Sequence, residues 1–283
     1  MNYNLAWPPQ TFSQRALSVL LAVAAVHDGY VLSRSVISSP VGGELMAECL
    51  GQSLRDKGTE LHPRHAFQRV ESSPGQFETK YEARSYRGPD GELHTPKATA
   101  SYNAMAVQSI VLDIKDAICR VSDTPFDPEE NASIPTAAYE LPDGQEIQIG
   151  PDRFTIPELL FDPELLSRYG RPGKAALASA PPGEGGEPGS LLSLQDTVNA
   201  SISRCDVDVR REFYGGVVLV GGTSLLQGLR ERLEKQLTAI APQVARVKVG
   251  REGEGGGVLD EGECDEHGMC VNLSFIDTTR REL

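Results

Sequence analysis

Apolar residues recur along this chain at two spacings, and the spacing changes from one segment to the next. Over residues 43–57, Leu45, Met46, Cys49, Leu50 and Leu54 fall three or four apart, which predicts a helix with one buried stripe. The same period returns over 103–121. There Val107, Ile110, Val111, Ile114 and Ile118 form the stripe, and Asp113, Lys115 and Asp116 are expected to face elsewhere. A helix is expected around Leu191 to Ser203. Another carries Leu225, Leu229, Leu233 and Leu237 at four-residue spacing, with Glu231 placed to pair with Lys235.

Between these segments the pattern tightens to runs and alternations. Ala16 to Val26 (ALSVLLAVAAV) is apolar throughout and reads as a buried strand or helix ending in a turn at His27-Asp28-Gly29. Its eleven residues fall short of the roughly 20 a helix needs to span a bilayer. The alternative is the apolar stretch of a signal peptide. Val26 to Leu32 has a turn dipeptide between β-formers, a hairpin signal. Tyr139 to Gly150 is a second hairpin, with Asp143-Gly144 at the turn and Ile147 and Ile149 alternating with polar residues. Phe154 to Leu166 predicts a short helix begun by Pro157. Val217 to Val220 reads as a buried strand and Val244 to Val249 as a short one.

The rest is polar. Residues 1–14 read as an irregular lead-in. Gly58 to Ala100 has no sustained period and predicts an extended loop with a short strand pair. Residues 170–190 are a Pro/Gly/Ala-rich linker, and the chain beyond Gly250 is Gly- and Glu-rich, expected to be mostly disordered.

Charge narrows the choice of partners. A net charge of −13 and a pI near 4.9 repel phosphate backbones, and no basic patch offsets them, so direct nucleic-acid binding is not expected. No membrane association is expected either. Five scattered cysteines suit a reducing compartment better than a disulfide framework. Cys264, His267 and Cys270 have the chemistry of zinc ligands, but a fourth ligand is not evident and coincidental tail composition is the better reading. His62, His65 and His94 read as solvated surface residues, as do Asp127, Glu129 and Glu130. No Ser/His/Asp or Cys/His pair has the local context of a nucleophile.

One segment has the form of a ligand-binding device. Val217 to Val220 runs into Gly221-Gly222-Thr223-Ser224 and then a helix. Glycines permit close approach of a ligand to the backbone, and a helix start favours phosphate or a nucleotide's polar edge. Many α/β proteins make the same turn for packing alone. The segment is neither a dinucleotide fingerprint nor a P-loop.

Its surroundings separate these readings. Cys205 to Tyr214 (CDVDVRREFY), VVLVGGTSLLQGLRERLEKQL, VARVKV, and Tyr139 to Phe161 preceded by Asp113-Ile114-Lys115-Asp116 together resemble the actin family. Val26 to Leu32 (VHDGYVL) and Cys119 to Phe126 (CRVSDTPF) resemble its nuclear actin-related members more than conventional actin. The resemblance implies an α/β fold, a partial actin-like (ribonuclease-H-like) architecture of one lobe with an inserted smaller subdomain. Residues 27–48 and 191–250 would form the large subdomain and 49–169 the inserted one. The linker 170–190, an atypical N-terminal segment 1–26 and the tail 251–283 would complete the chain.

The resemblance also implies site residues. Gly221, Gly222 and Thr223 match an adenosine-contacting loop. Lys115 and Asp116 match a Lys–acid pair on the adenine and ribose side, and Leu225 and Leu226 fall beside the base. The first phosphate hairpin and its lobe would lie before residue 1. A second phosphate hairpin, with an Asp-x-Gly-type turn, is expected just before His27, yet Ala16 to Val26 contains no acid and no glycine. No metal-binding Asp and no water-positioning Gln remain in the matched positions. The resemblance therefore implies a non-catalytic scaffold subunit of nuclear chromatin-remodelling or histone acetyltransferase complexes, with actin and a helical scaffold segment as partners. ATP contact would be confined to the base and sugar side, with no metal. The alternative is an actin-class ATPase whose first lobe is missing from this chain.

Overall fold

A computed structural model describes residues 21–73, 76–82, 86–87, 89, 93–94, 98–126, 134–170, 191–243, 245–251 and 267–273. The lead-in 1–14, the linker from 171 to 190, Asp127, Glu129, Glu130, Val244 and Cys264 lie outside these residues.

In chain order the described elements begin with β1 (Leu21–His27), β2 (Tyr30–Val31), β3 (Ile37–Ser39) and α1 (Gly43–Asp56). Then come β4 (Gln68–Ser73), β5 (Gln76–Lys80), β6 (Tyr86–Arg87), β7 (Leu93–His94) and α2 (Ala100–Ile118). The chain continues through β8 (Ala137–Glu140), β9 (Glu146–Ile149), α3 (Asp152–Glu158), α4 (Leu194–Ser203) and α5 (Val207–Gly215). The last are β10 (Val217–Val220), α6 (Leu229–Ile240), β11 (Val249–Arg251) and β12 (His267–Asn272). The chain divides into two compact units, residues 1–46 with 159–283 and residues 47–158. Leu159 to Arg168 thus falls with the larger unit, whereas the family resemblance implied an inserted subdomain running to residue 169.

The larger unit is built on a sheet ordered β11-β10-β12-β1-β2, with β3 also on β1. The apolar run resolves as strand where it is described, and Leu21, Val23 and Ala25 face the core. Asp28 (φ 51°) and Gly29 (φ 76°) make the tight turn into β2, as their dipeptide predicts. Helix α4 buries Leu194, Thr197, Val198, Ser201 and Ile202, one helical stripe, and Ser193 caps it by accepting the Asp196 N–H at 3.2 Å. In α6 the buried stripe is Leu229, Leu233 and Leu237, joined by Arg232, whose guanidinium lies 5.1 Å over the Phe161 ring.

The expectation of a mostly disordered tail fails at residues 267–272. They form β12, in the middle of the sheet, parallel to β10 and antiparallel to β1. Met269 and Val271 are fully buried and Leu273 nearly so. β2 and β3 take one edge of β1, so a hairpin strand arriving just before His27 would have to take the other. β12 occupies that edge. The short strand expected over 244–249 is instead Val249–Arg251, parallel to β10.

The smaller unit holds α1 from Ala47 onward, α2 and α3 with three hairpins. Gly51 of α1 packs beside α2: a Cβ there would stand 3.5 Å from Val111, an ordinary van der Waals contact. Residues 58–100, expected as a loop with one strand pair, form two hairpins, β4–β5 and β6–β7. The β8–β9 hairpin turns through Gly144 (φ 91°) as expected. Helix α2 starts at Ala100, earlier than its apolar stripe, because Thr99 caps it by accepting the Tyr102 N–H. Pro157 does not begin α3; it sits inside a helix begun at Asp152. It brings no N–H to the Arg153 carbonyl four residues back, and that carbonyl accepts the Arg120 N–H at 3.0 Å instead. His62 and His65 are half-buried rather than solvated, their rings tilted on Tyr81 and Tyr102 at 4.4 and 5.0 Å.

Candidate functional site

The seven residues singled out from sequence fall in both compact units, five in the larger and two in the smaller.

In the larger unit, β10 delivers the chain to Gly221, whose φ of 94° and ψ of 167° belong to a region open essentially to glycine alone. The chain then makes a short 3-10 turn, Gly222–Leu225, rather than entering a long helix directly. The Ser224 N–H and hydroxyl both return to the Gly221 carbonyl, at 3.0 and 2.6 Å, and the Leu226 N–H bonds Thr223. Helix α6 starts only at Leu229, after Gly228 in the left-handed region. Leu225 is therefore not the first rung of the leucine ladder: it is 74% exposed, because the 3-10 turn breaks the four-residue register. Nor does the turn offer a run of free amides, since those of Ser224 and Leu226 are bonded within it.

The turn sorts its side chains by face. Thr223, Ser224 and Leu226 are buried, and the Leu226 carbonyl accepts a bond from Arg251 at 3.2 Å. Gly222 is exposed, with nothing within 4 Å of where a Cβ would stand. Only Gly222 and Leu225 present an outward surface. In α6, Glu231 bonds Arg230 at 3.0 Å, and its carboxyl is held below the usual carboxylate range by its own backbone N–H.

In the smaller unit, Lys115 departs from expectation. It is buried rather than turned away from the apolar stripe, with Nζ 3.2 Å from the Asp116 carboxylate, which is itself exposed. Its long aliphatic stem lets it lie among Val111, Ile114 and Ile118 on the buried side of α2 while the ammonium meets the neighbouring acid. Cys119, at the end of the helix, has its thiol pushed up to about 12 by burial, a rise that Lys115 opposes. Asp113 accepts a short hydrogen bond from the Tyr139 hydroxyl on β8. Burial first, then that bond, push Tyr139 up to about 12.

Against a nucleotide, this donor set is partial. In the turn, Gly222 and Leu225 are open to contact with a base or sugar, whereas the side chains of Thr223 and Leu226 are buried; in the smaller unit the Lys115 side chain is buried as well. When bound, ATP would supply a transferable phosphoryl group, and the outward residues of the turn would meet only its nucleoside end. Among the described residues no group of three His, Cys, Asp or Glu could hold a metal ion. No described helix is long and apolar enough to cross a membrane.

Sequence reasoning missed the strand that completes the sheet beside this turn. The alternation Met269, Val271, Leu273 was its signal, obscured by the acidic, glycine-rich residues before it.

Comparison with known proteins agrees with this architecture. The Actin family model matches residues 20–255. Actin-related protein 4 of Arabidopsis thaliana is 44% identical over 227 residues, 80% of this chain and 47% of that protein. Actin-related protein 4 of Oryza sativa subsp. indica is 41% identical over 227 residues, again 80% of this chain and 46% of its own length. The Schizosaccharomyces pombe protein of the same name is 28% identical over 240 residues, covering 82% and 52%. The chain spans about half the length of the curated relatives it matches. A match over most of the chain, on a mixed α/β sheet whose Gly221-Gly222 turn follows a buried strand, makes this protein a member of the actin family.

Proposed function

We propose that this chain is a non-catalytic, actin-related scaffold subunit of nuclear chromatin-remodelling or histone acetyltransferase complexes. The observation that carries the reading is its likeness to Actin-related protein 4, 44% identity over 80% of the chain. The segments VHDGYVL and CRVSDTPF lie within residues 20–255, which the Actin family model matches. Phosphoryl transfer depends on positioned phosphate and metal groups. The apolar run before His27 carries no acid or glycine, and β12 takes the edge where a second phosphate hairpin would pair. Both support a scaffold over a catalyst.

The partners are then actin and a helical segment of the remodeller or acetyltransferase scaffold, met inside the nucleus. Affinity purification of the tagged chain from nuclear extract tests this. Actin should be recovered together with remodeller or acetyltransferase subunits, and recovery of neither rejects the proposal.

One observation favours the alternative, an actin-class ATPase: the Gly221 turn keeps a glycine-only conformation next to an open surface. That reading requires magnesium-dependent ATP hydrolysis by the purified chain. No turnover, with no shift of the melting curve in millimolar ATP, rejects it.

A further inference from the structure

Leu226 to Leu229 form a β-turn, closed by the Leu229 N–H on the Leu226 carbonyl at 3.2 Å. Gly228 holds its third position with φ 86° and ψ −8°, the values a type II turn requires there. Gln227 is therefore the corner residue, and it is exposed. The residue before it is anchored inward. Leu226 is buried, its N–H bonds Thr223 at 3.1 Å, and its carbonyl also accepts from Arg251 at 3.2 Å. Leu225 and Gln227 flank this fixed point on the outward side, with Cα atoms at most about 7 Å apart.

The two outward side chains differ in chemistry. Leu225 offers an aliphatic surface to the flat face of a base but carries no donor and no acceptor. Thr223 and Ser224 are buried, and the Ser224 hydroxyl is spent on the Gly221 carbonyl at 2.6 Å. Arg230, the next polar side chain along, is held by Glu231 at 3.0 Å. Gln227 is thus the polar side chain presented beside Leu225, and its amide has one acceptor oxygen and two N–H donors. Adenine shows on one edge an amino donor beside a ring-nitrogen acceptor, the complement of a carboxamide. The same edge of guanine shows two acceptors, so the amide oxygen would face an acceptor there.

We propose that Gln227 is a specificity-determining residue: it reads the edge of a base lying over Leu225 and selects adenine over guanine, an assignment that rests on the turn being the contact for the nucleoside end of ATP. A site that hydrogen-bonds its ligand rejects an analogue whose groups do not match, because the site's own polar atoms are then left unpaired. Leu225 alone, being apolar, would take either purine.

Titration of AMP and GMP into the full-length chain, followed by NMR, tests this. The parent should bind AMP about tenfold more tightly than GMP, the discrimination of one good bidentate pair. Gln227→Leu should weaken AMP about tenfold, to the level of GMP, and leave GMP unchanged. Gln227→Arg should reverse the order, because a guanidinium pairs with the two acceptors of guanine. Gln227 is exposed, so both variants should melt with the parent. Leu225→Ser should weaken both nucleotides alike. Equal parent affinities, or a ratio unchanged in both Gln227 variants, overturn the role of Gln227 while the turn keeps its ligand. Binding of neither nucleotide by the parent, or binding indifferent to Leu225→Ser, overturns the nucleoside contact itself and the role of Gln227 with it.

Discussion

The Ser35 hydroxyl accepts the backbone N–H of Ala25 at 2.9 Å, at the point where strand pairing along that edge of β1 lapses. β2 pairs with Val26 and His27, and β3 with Leu21 to Val23, leaving Ala24 and Ala25 between them. The Leu32 N–H takes the Ala25 carbonyl at 2.9 Å, and the same Ser35 hydroxyl donates to the Leu32 carbonyl at 2.7 Å. The Ser35 carbonyl accepts from Ser201 on α4 at 2.6 Å. One fully buried serine thus replaces a missing rung and ties the sheet edge to a helix.

Ser35→Ala should leave the Ala25 N–H buried without its acceptor, at a cost of about 1–3 kcal/mol. Urea unfolding of the full chain measures this. A loss under about 0.5 kcal/mol, the level of an ordinary surface change, would mean the rung is dispensable.

Met269→Ala should cost about 2–5 kcal/mol, because a fully buried side chain in a central strand leaves a cavity. Val70→Ala, on the exposed β4, should stay within about 0.5 kcal/mol. Equal effects would place β12 outside the core.

The two glycines of the turn should respond differently. Gly221→Ala forces a side chain into a glycine-only conformation at about 1–3 kcal/mol. Gly222→Ala meets nothing within 4 Å and should be neutral within about 0.5 kcal/mol. Thermal melts distinguish them, and Gly222→Ala then becomes the probe of ligand contact, since any change in ATP response would not come from stability.

Arg120→Pro should remove the donor that takes the Arg153 carbonyl and cost about 1–3 kcal/mol, whereas Arg120→Ala keeps the N–H and should be near neutral. Cys119 is already extended, with φ −69° and ψ 140°, as a residue before proline must be. Comparable losses in the two variants would assign the effect to the side chain.

Alkaline pH should unfold the protein. Burial raises Cys49 and Cys119 from 9.0 to about 12, so the unfolded chain loses these protons first. Stability is then fully present below about pH 9 and falls from about 9 to about 12. Tyr139, raised from 10.0 to about 12, steepens the fall above pH 10. Melting temperature against pH checks the sign, and a flat profile to pH 11 would contradict it. At pH 8 a thiol reagent should modify half-buried Cys270 before Cys49 or Cys119.

Much of the fold was legible because its signals are local. The Asp28-Gly29 and Asp143-Gly144 turns, the stripes of α1 and α2, the presence of α4 and the strand before Gly221 each depend on residues within a few positions of one another. The candidate site was legible only as a set of positions. Which side chains face outward was not, because the 3-10 turn at Gly222–Leu225 shifts the register and buries Thr223 and Leu226 while exposing Leu225.

The sequence by itself determined the family, the hairpin turns at Asp28-Gly29 and Asp143-Gly144 and the helical stripes of α1 and α2, since turn chemistry and periodicity act over two to four residues. Tertiary structure alone decided that β12 joins β1 and β10 from more than forty residues away, that Lys115 lies among the apolar residues of α2, and that Arg120 serves the carbonyl Pro157 leaves open. Each of these depends on which buried backbone groups and apolar surfaces remain unpaired once the local elements have formed. That remainder exists only after the chain has packed.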